Sequence, residues 1–148
     1  MLYLFALVLL LATQGNLVWA AQGDPVKHIP AKEVEVALGK PVAPITKADN
    51  YSVLALRRTS AGQAEVHSVD TDVFYVIDGS ATFTTGGTVI DGKTTAPGEI
   101  RGTGIREGTS RVISKGDVLT IPHGTPHWFS EVKSPVIYLV VKVATGSK

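Results

Sequence analysis

The chain of 148 residues contains no cysteine. A disulfide framework is therefore excluded, and the fold must rest on its hydrophobic core, with a bound metal as the one other staple open to it. A long hydrophobic run is also missing: the apolar stretch from Leu2 to Ala12 is about half of what a bilayer crossing needs, which excludes a membrane anchor. No block of like charges stands anywhere in the chain, whose formal net charge is +1. Neither nucleic acid nor an acidic membrane surface is thus indicated as a partner, and a small neutral or anionic molecule is expected instead. There is no internal repeat.

What is present begins with MLYLFALVLLLATQGNLVWA, twenty residues without a charged side chain. A short apolar core, polar residues from Thr13 to Asn16, and Val18 and Ala20 ahead of Ala21 read as a secretory signal cut after Ala20, although the amino terminus alone supplies its positive charge. The expected location is secreted or periplasmic; the competing reading of the stretch is a buried N-terminal strand. Removal of the signal leaves 128 residues, enough for one domain with a real core. Residues 21–50 read as an extended leader followed by a short helix, with Pro30 in its first turn and Gly39 after its last apolar residue. Val34, Ala37 and Leu38 share a face of that helix, while β-branched Val36 lowers its propensity.

From Tyr51 to Val143 the pattern changes to short runs rich in β-formers, separated by Gly, Pro, Asp and Ser: YSVLALRR, QAEVH, VFYVID, ATFTT, TSRVI, VLTIP, HWFSEV and VIYLVVKV. This is how an all-β sandwich or barrel reads. Between the fourth and fifth runs lies a glycine-rich stretch, TGGTVIDGKTTAPGEIRGTGIREGTS, expected as a long hairpin or lid. Residues 144–148 form a polar tail.

Glu65, His67, Asp70 and Asp72 fall within eight residues beside the apolar VFYVID, and charged groups are costly to bury unless paired or bound to metal. In a strand Glu65 and His67 point to one face, and an antiparallel hairpin would bring Asp72 close to His67. Further on, His127 follows a Pro-Gly turn at the start of another strand. His67, Asp72 and His127 form a two-histidine, one-carboxylate set of the kind that suits an open six-coordinate metal, and Glu65 as a fourth ligand would harden the site. Without metal, the same side chains would line a polar barrel that hydrogen-bonds its ligand directly.

Gly116, Pro122, Gly124 and His127 are spaced as in the second motif of the cupin superfamily, and Glu65, His67, Asp72 and Gly79 occupy the places of the first. The chain from about residue 51 to 143 thus resembles a cupin. The resemblance implies a small jelly-roll β-barrel, often a homodimer, with one divalent metal near its centre: iron, manganese or zinc, with nickel as a further candidate. Carried over by position, His67, Asp72 and His127 are the implied ligands. Glu65 stands where the family has a histidine, and Glu131 where it usually has an asparagine. Glu65 is accordingly expected as a general base rather than a ligand.

Arg57 and Arg58 end a strand, so one of them faces the interior, where it could clamp a carboxylate. Phe74, Trp128 and Phe129 are core residues by default, with Phe74 and Phe129 as the candidates for a ligand platform. His123, in the Pro-Gly turn, is expected in solvent; His28 has no visible partner; Asp70 reads as a solvated turn residue. Asn50, Tyr51 and Ser52 form an N-glycosylation acceptor if the source is eukaryotic. The expected function is a metal-dependent enzyme acting on a small organic molecule, as an oxygenase or as an isomerase, lyase or cyclase. The alternative is a non-catalytic module that sequesters a small ligand or a metal.

Overall fold

The computed structural model describes residues 26–145, so the expected signal, its cleavage site, the first residues of the leader and the last three of the tail lie outside the described residues. Helix α1 spans Ala31–Leu38 and packs Ala37 against Ala43 and Ala55, with Leu38, Ile45 and Leu139 alongside. Pro30 caps this helix rather than entering its first turn. Its backbone is extended (φ −60°, ψ 145°) and its carbonyl accepts from the N–H groups of Glu33 and Val34, so the missing proline N–H costs the helix nothing.

Thirteen strands follow: β1 (Val42–Lys47), β2 (Tyr51–Arg58), β3 (Ala64–His67), β4 (Asp70–Asp78), β5 (Ser80–Thr85), β6 (Thr88–Ile90), β7 (Lys93–Ala96), β8 (Glu99–Gly102), β9 (Gly104–Arg106), β10 (Thr109–Ser114), β11 (Val118–Ile121), β12 (His127–Glu131) and β13 (Val136–Ala144). They form a five-stranded sheet in the order β1-β2-β13-β4-β11, a six-stranded sheet in the order β10-β5-β12-β3-β8-β7, and a small β6-β9 ribbon. The eight runs expected as strands are strands, and the described residues are all-β apart from one short helix.

Two features differ from the sequence reading. β1 pairs along β2, so the sheet begins before Tyr51; Pro44 obscured this strand, and is tolerated because β1 is an edge strand with a register shift beside it. The glycine-rich stretch folds as the long hairpin, with β6 paired to β9 and β7 to β8, but it is no separate lid. It supplies β6 to β9, and β8 joins the six-stranded sheet by pairing residue for residue with β3. Gly102 permits this arrangement: a Cβ there would overlap Val89 and the Ile90 carbonyl.

The two sheets enclose a core of Phe74, Val76, Phe83, Ile113, Phe129, Val136, Tyr138 and Val140. Its aromatic rings meet edge to face and tilted, Phe83 with Phe129 at 4.8 Å and Phe74 with Tyr138 at 5.1 Å between centroids. Along the strands the period-2 alternation carries this core into a polar interior: Phe74 is preceded two residues earlier by Asp72, Phe129 by His127, and Val140 is followed by Lys142. The change from apolar to charged along the same inward rows sets the position of the site.

Candidate metal centre

On β3, Glu65 and His67 share the inward face, as the alternation requires. His127 opens β12, directly opposite Glu65 in the β3–β12 register. The turn that delivers it is pinned from behind: Gly124 adopts φ +76°, open to glycine, and its N–H donates to the His67 carbonyl at 2.7 Å. Two motifs far apart in sequence are thereby joined through backbone. The His67 and His127 rings lie 5.1 Å apart, and both are buried.

Each imidazole is oriented by its Nδ1. That of His67 lies 2.8 Å from both carboxylate oxygens of Glu99 on β8, and that of His127 donates to the Thr125 carbonyl at 3.0 Å. With Nδ1 engaged, both rings turn Nε2 towards one point, where Oε2 of Glu65 sits 3.5 Å from His67 and 3.8 Å from His127. Nε2 of His127 is buried and makes no hydrogen bond among the described residues. Glu65, His67 and His127 each offer one ligand atom within 4.8 Å of the others. These residues fit a divalent cation: two imidazole nitrogens, a carboxylate oxygen, outer partners that fix both rings, and an orphaned buried acceptor.

Asp72 approaches differently from the hairpin expected for it. β3 and β4 belong to opposite sheets, and the chain crosses between them at Ser68 and Val69. Asp72 therefore reaches His67 across the interior, with Oδ2 3.5 Å from Nε2, while Oδ1 accepts from Lys142 on β13 at 2.8 Å. It is buried beside the cluster, but it is not one of the three groups that converge.

The charges of the cluster bias one another. Burial alone would raise the Glu65 carboxyl, but the hydrogen bond to His67 and the charges of Arg101, His127 and His67 outweigh it and hold it at about 2. For His67, burial and Lys142 favour the neutral ring, and Glu65, Asp72 and Glu99 together overcome them and raise its pKa. His127 is lowered, chiefly by burial, so it stands as the neutral imidazole a metal requires.

A cavity of about 260 Å³ opens onto this cluster, lined among others by Arg58, Glu65, His67, Asp72, Phe74, Arg101, Tyr138 and Lys142. It is small beside common ligand pockets, which run from roughly 300 Å³ upwards. Of the two arginines, Arg58 lines it and Arg57 does not. Phe74 is part of the wall, whereas Phe129 belongs to the core and carries the Arg58 guanidinium on its ring face, 4.8 Å from the centroid. His123 and His28 are exposed. Asp70 is half-buried and lies 3.8 Å from Lys142 instead of being solvated in a turn. Glu131 is on the surface, beside Thr82 and Lys133. Trp128 is tied to the Gly62 carbonyl.

Three contributors were absent from the sequence reading: Glu99, Arg101 and Lys142. Arg101 lies 2.6 Å from Oε2 of Glu65 and 3.0 Å from Oε2 of Glu99. The available signal for β8 was the tetrapeptide EIRG between two glycines, whose alternation puts Glu99 and Arg101 on one face.

A family model for the cupins matches residues 43–147. Among solved structures, BH2720 from Bacillus halodurans superposes with a TM-score of 0.59 at 11% identity, over 84% of this chain and 86% of that one. KdgF from Halomonas sp. gives 0.51 at 15%, over 71% and 80%. DMSP lyase DddQ from Ruegeria pomeroyi gives 0.47 at 16%, and there the chain, 68% of it matched, spans only 42% of the other protein's length. At such identities the likeness shows the fold alone. No curated protein matches the chain. With the family model covering most of its length and the jelly-roll sheets in place, this chain belongs to the cupin family.

Proposed function

We propose that this chain is an exported mononuclear metal cupin that acts on a small organic molecule. The observation that carries the reading is the pair of histidines, each held through Nδ1 by an outer partner and each turning Nε2 to the same point, with that of His127 buried and unpartnered. An imidazolium cluster without metal would account for His67 among three carboxylates, but it leaves the neutral His127 with nothing to accept. Glu65, His67 and His127 would hold the cation; the oxygen in this set favours iron or manganese over copper. A metal bound here would supply Lewis acidity towards a substrate oxygen or, as iron, O₂ chemistry.

The chain's own residues do the remainder. Glu99 and Thr125 keep both imidazoles in the tautomer that presents Nε2. Asp72 is the carboxylate left beside the site for proton transfer, with Lys142 donating to it and fixing its direction. This exchanges the roles expected for Glu65 and Asp72, because Glu65 is the carboxylate that both Nε2 atoms face. Phe74 and Val140 are apolar parts of the cavity wall.

One observation favours the non-catalytic reading: Arg101 and Lys142 already neutralise Glu65 and Asp72 within the protein. Metal analysis of the purified mature chain separates a metal centre from a metal-free binding module, and turnover of a ligand separates an enzyme from a module that only holds metal. About one equivalent of divalent metal, lost in His67→Ala and in His127→Ala but retained in His123→Ala, is expected. Metal at trace levels in parent and variants alike refutes the metal reading and leaves the binding module. Export rests on the residues before Ala21, and mass spectrometry of the secreted chain tests it: a mature chain starting at Ala21 is expected, and retention of Met1 in a cytoplasmic product contradicts it.

A further inference from the structure

Three cationic side chains line the cavity, and two are spoken for. Arg101 is paired with Glu65 and Glu99, and Lys142 with Asp72 and Asp70. Arg58 is in no ion pair among the described residues, and its Nε is buried without a hydrogen-bond partner. Arg58 is half-buried, and a guanidinium whose Nε is withdrawn from water with no counter-ion beside it is a costly arrangement, offset where an anion reaches it.

Its setting is built rather than incidental. The guanidinium lies against the Phe129 ring on one side. Beside it is Gly62, where a Cβ would overlap Nη1 of Arg58. That glycine is itself fixed, its N–H donating to the Phe129 carbonyl at 3.1 Å and its carbonyl accepting from Nε1 of Trp128 at 2.7 Å. Arg58 is thus in contact with an aromatic ring and with a backbone held in place at both its donor and its acceptor, which limits where its fork can go. Phe129 and His127 are alternate residues of β12, so the ring that carries the arginine stands one inward step, roughly 7 Å along the strand, from the histidine.

We infer that Arg58 is an anion-binding residue of the cavity and that the substrate is a small carboxylate, gripped by the guanidinium at one end and presenting an oxygen to Glu65, His67 and His127 at the other. This rests on the metal-cupin reading for the second contact only; the first is a property of Arg58, Phe129 and Gly62. A planar fork recognises a carboxylate through two parallel N–H···O bonds, which a neutral amide cannot reproduce. Arg57, outside the cavity, has no part in it.

The test is calorimetric titration of the full mature protein, loaded with manganese and separately stripped with EDTA, with pyruvate, oxalate and malonate, and with oxamide and malonamide as neutral counterparts. The parent is expected to bind at least one carboxylate at least tenfold more tightly than the diamides, and Arg58→Gln to lose at least tenfold of that affinity with unchanged manganese content. Arg57→Gln should bind as the parent does. Gly62→Ala, which displaces the guanidinium without altering any charge, should weaken carboxylate binding too. If Arg58→Gln fails to fold, Arg58→Lys takes its place and should bind the carboxylate more weakly than the parent with manganese retained. Carboxylate binding that depends on Arg58 in the stripped protein, in a chain that takes up no manganese, would support the subsite while refuting the metal reading. Equal affinity in Arg58→Gln or its substitute and the parent, equal binding of acids and diamides, or no carboxylate binding at millimolar concentration would each overturn the inference.

Discussion

His127 donates from Nδ1 to Thr125 and leaves Nε2 buried with no partner, an arrangement that costs stability until something binds it. In the presence of EDTA, His127→Ala should lose its hydrogen bond and its packing beside Phe83, a loss shared by any buried ring. The diagnostic is the response to metal. At a hundredfold excess over the dissociation constant the parent gains about 2.7 kcal/mol, on the order of 10 °C in Tm for a domain of this size, and the variant should gain little; differential scanning fluorimetry with and without manganese reads the difference. Glu65 and Asp72 separate in the same way. Glu65→Gln should weaken metal affinity at least tenfold, because a neutral amide oxygen is the poorer donor to a divalent ion. Asp72→Asn should mainly weaken the bond from Lys142, lowering the stability of the stripped protein by roughly 1 to 2 kcal/mol and leaving metal affinity closer to that of the parent. Calorimetry on both variants checks the order, and the reverse order would restore Asp72 as the ligand and Glu65 as the base.

Strand β8 shows where sequence patterning stops informing. Its residues stand between Gly98 and Gly102 in a stretch dense with turn formers, so local chemistry reads as loop; its place in the sheet comes from pairing with β3, thirty-odd residues earlier. The same non-local contact is what puts Glu99 on His67. By contrast, β4, β12 and β13 were legible because buried strands alternate over enough residues to be read alone, and the turn before His127 was legible because Gly124 meets a backbone demand no other residue meets as cheaply. The nearness of Asp72 to His67 was legible, but not its route, since a short link between strands does not reveal whether the chain turns within a sheet or crosses to the other. Gly102→Ala tests the placement of β8: forcing a methyl against Val89 and the Ile90 carbonyl should cost about 1 to 3 kcal/mol. A thermal melt indistinguishable from the parent would mean that β8 is a loose flap after all.

Across the whole molecule, the aromatic core and the charged cluster are successive parts of the same inward rows, so the core that stabilises the sandwich also fixes the directions of the site residues. Phe83 packs against both Phe129 and His127. Phe83→Leu, which leaves a smaller side chain at a fully buried position, should therefore lower stability and loosen metal binding together; equilibrium unfolding in urea, run with and without manganese, would show whether the two fall in step. The metal centre requires that His67 and His127 present Nε2 to a single cation together with Glu65. Anomalous diffraction from crystals of the protein grown with manganese or zinc measures this directly. One strong peak is expected between the two rings, within about 2.0 to 2.3 Å of both Nε2 atoms and of a Glu65 oxygen. A cluster without such a peak, with Arg101 still closed on Glu65 at saturating metal, would contradict it.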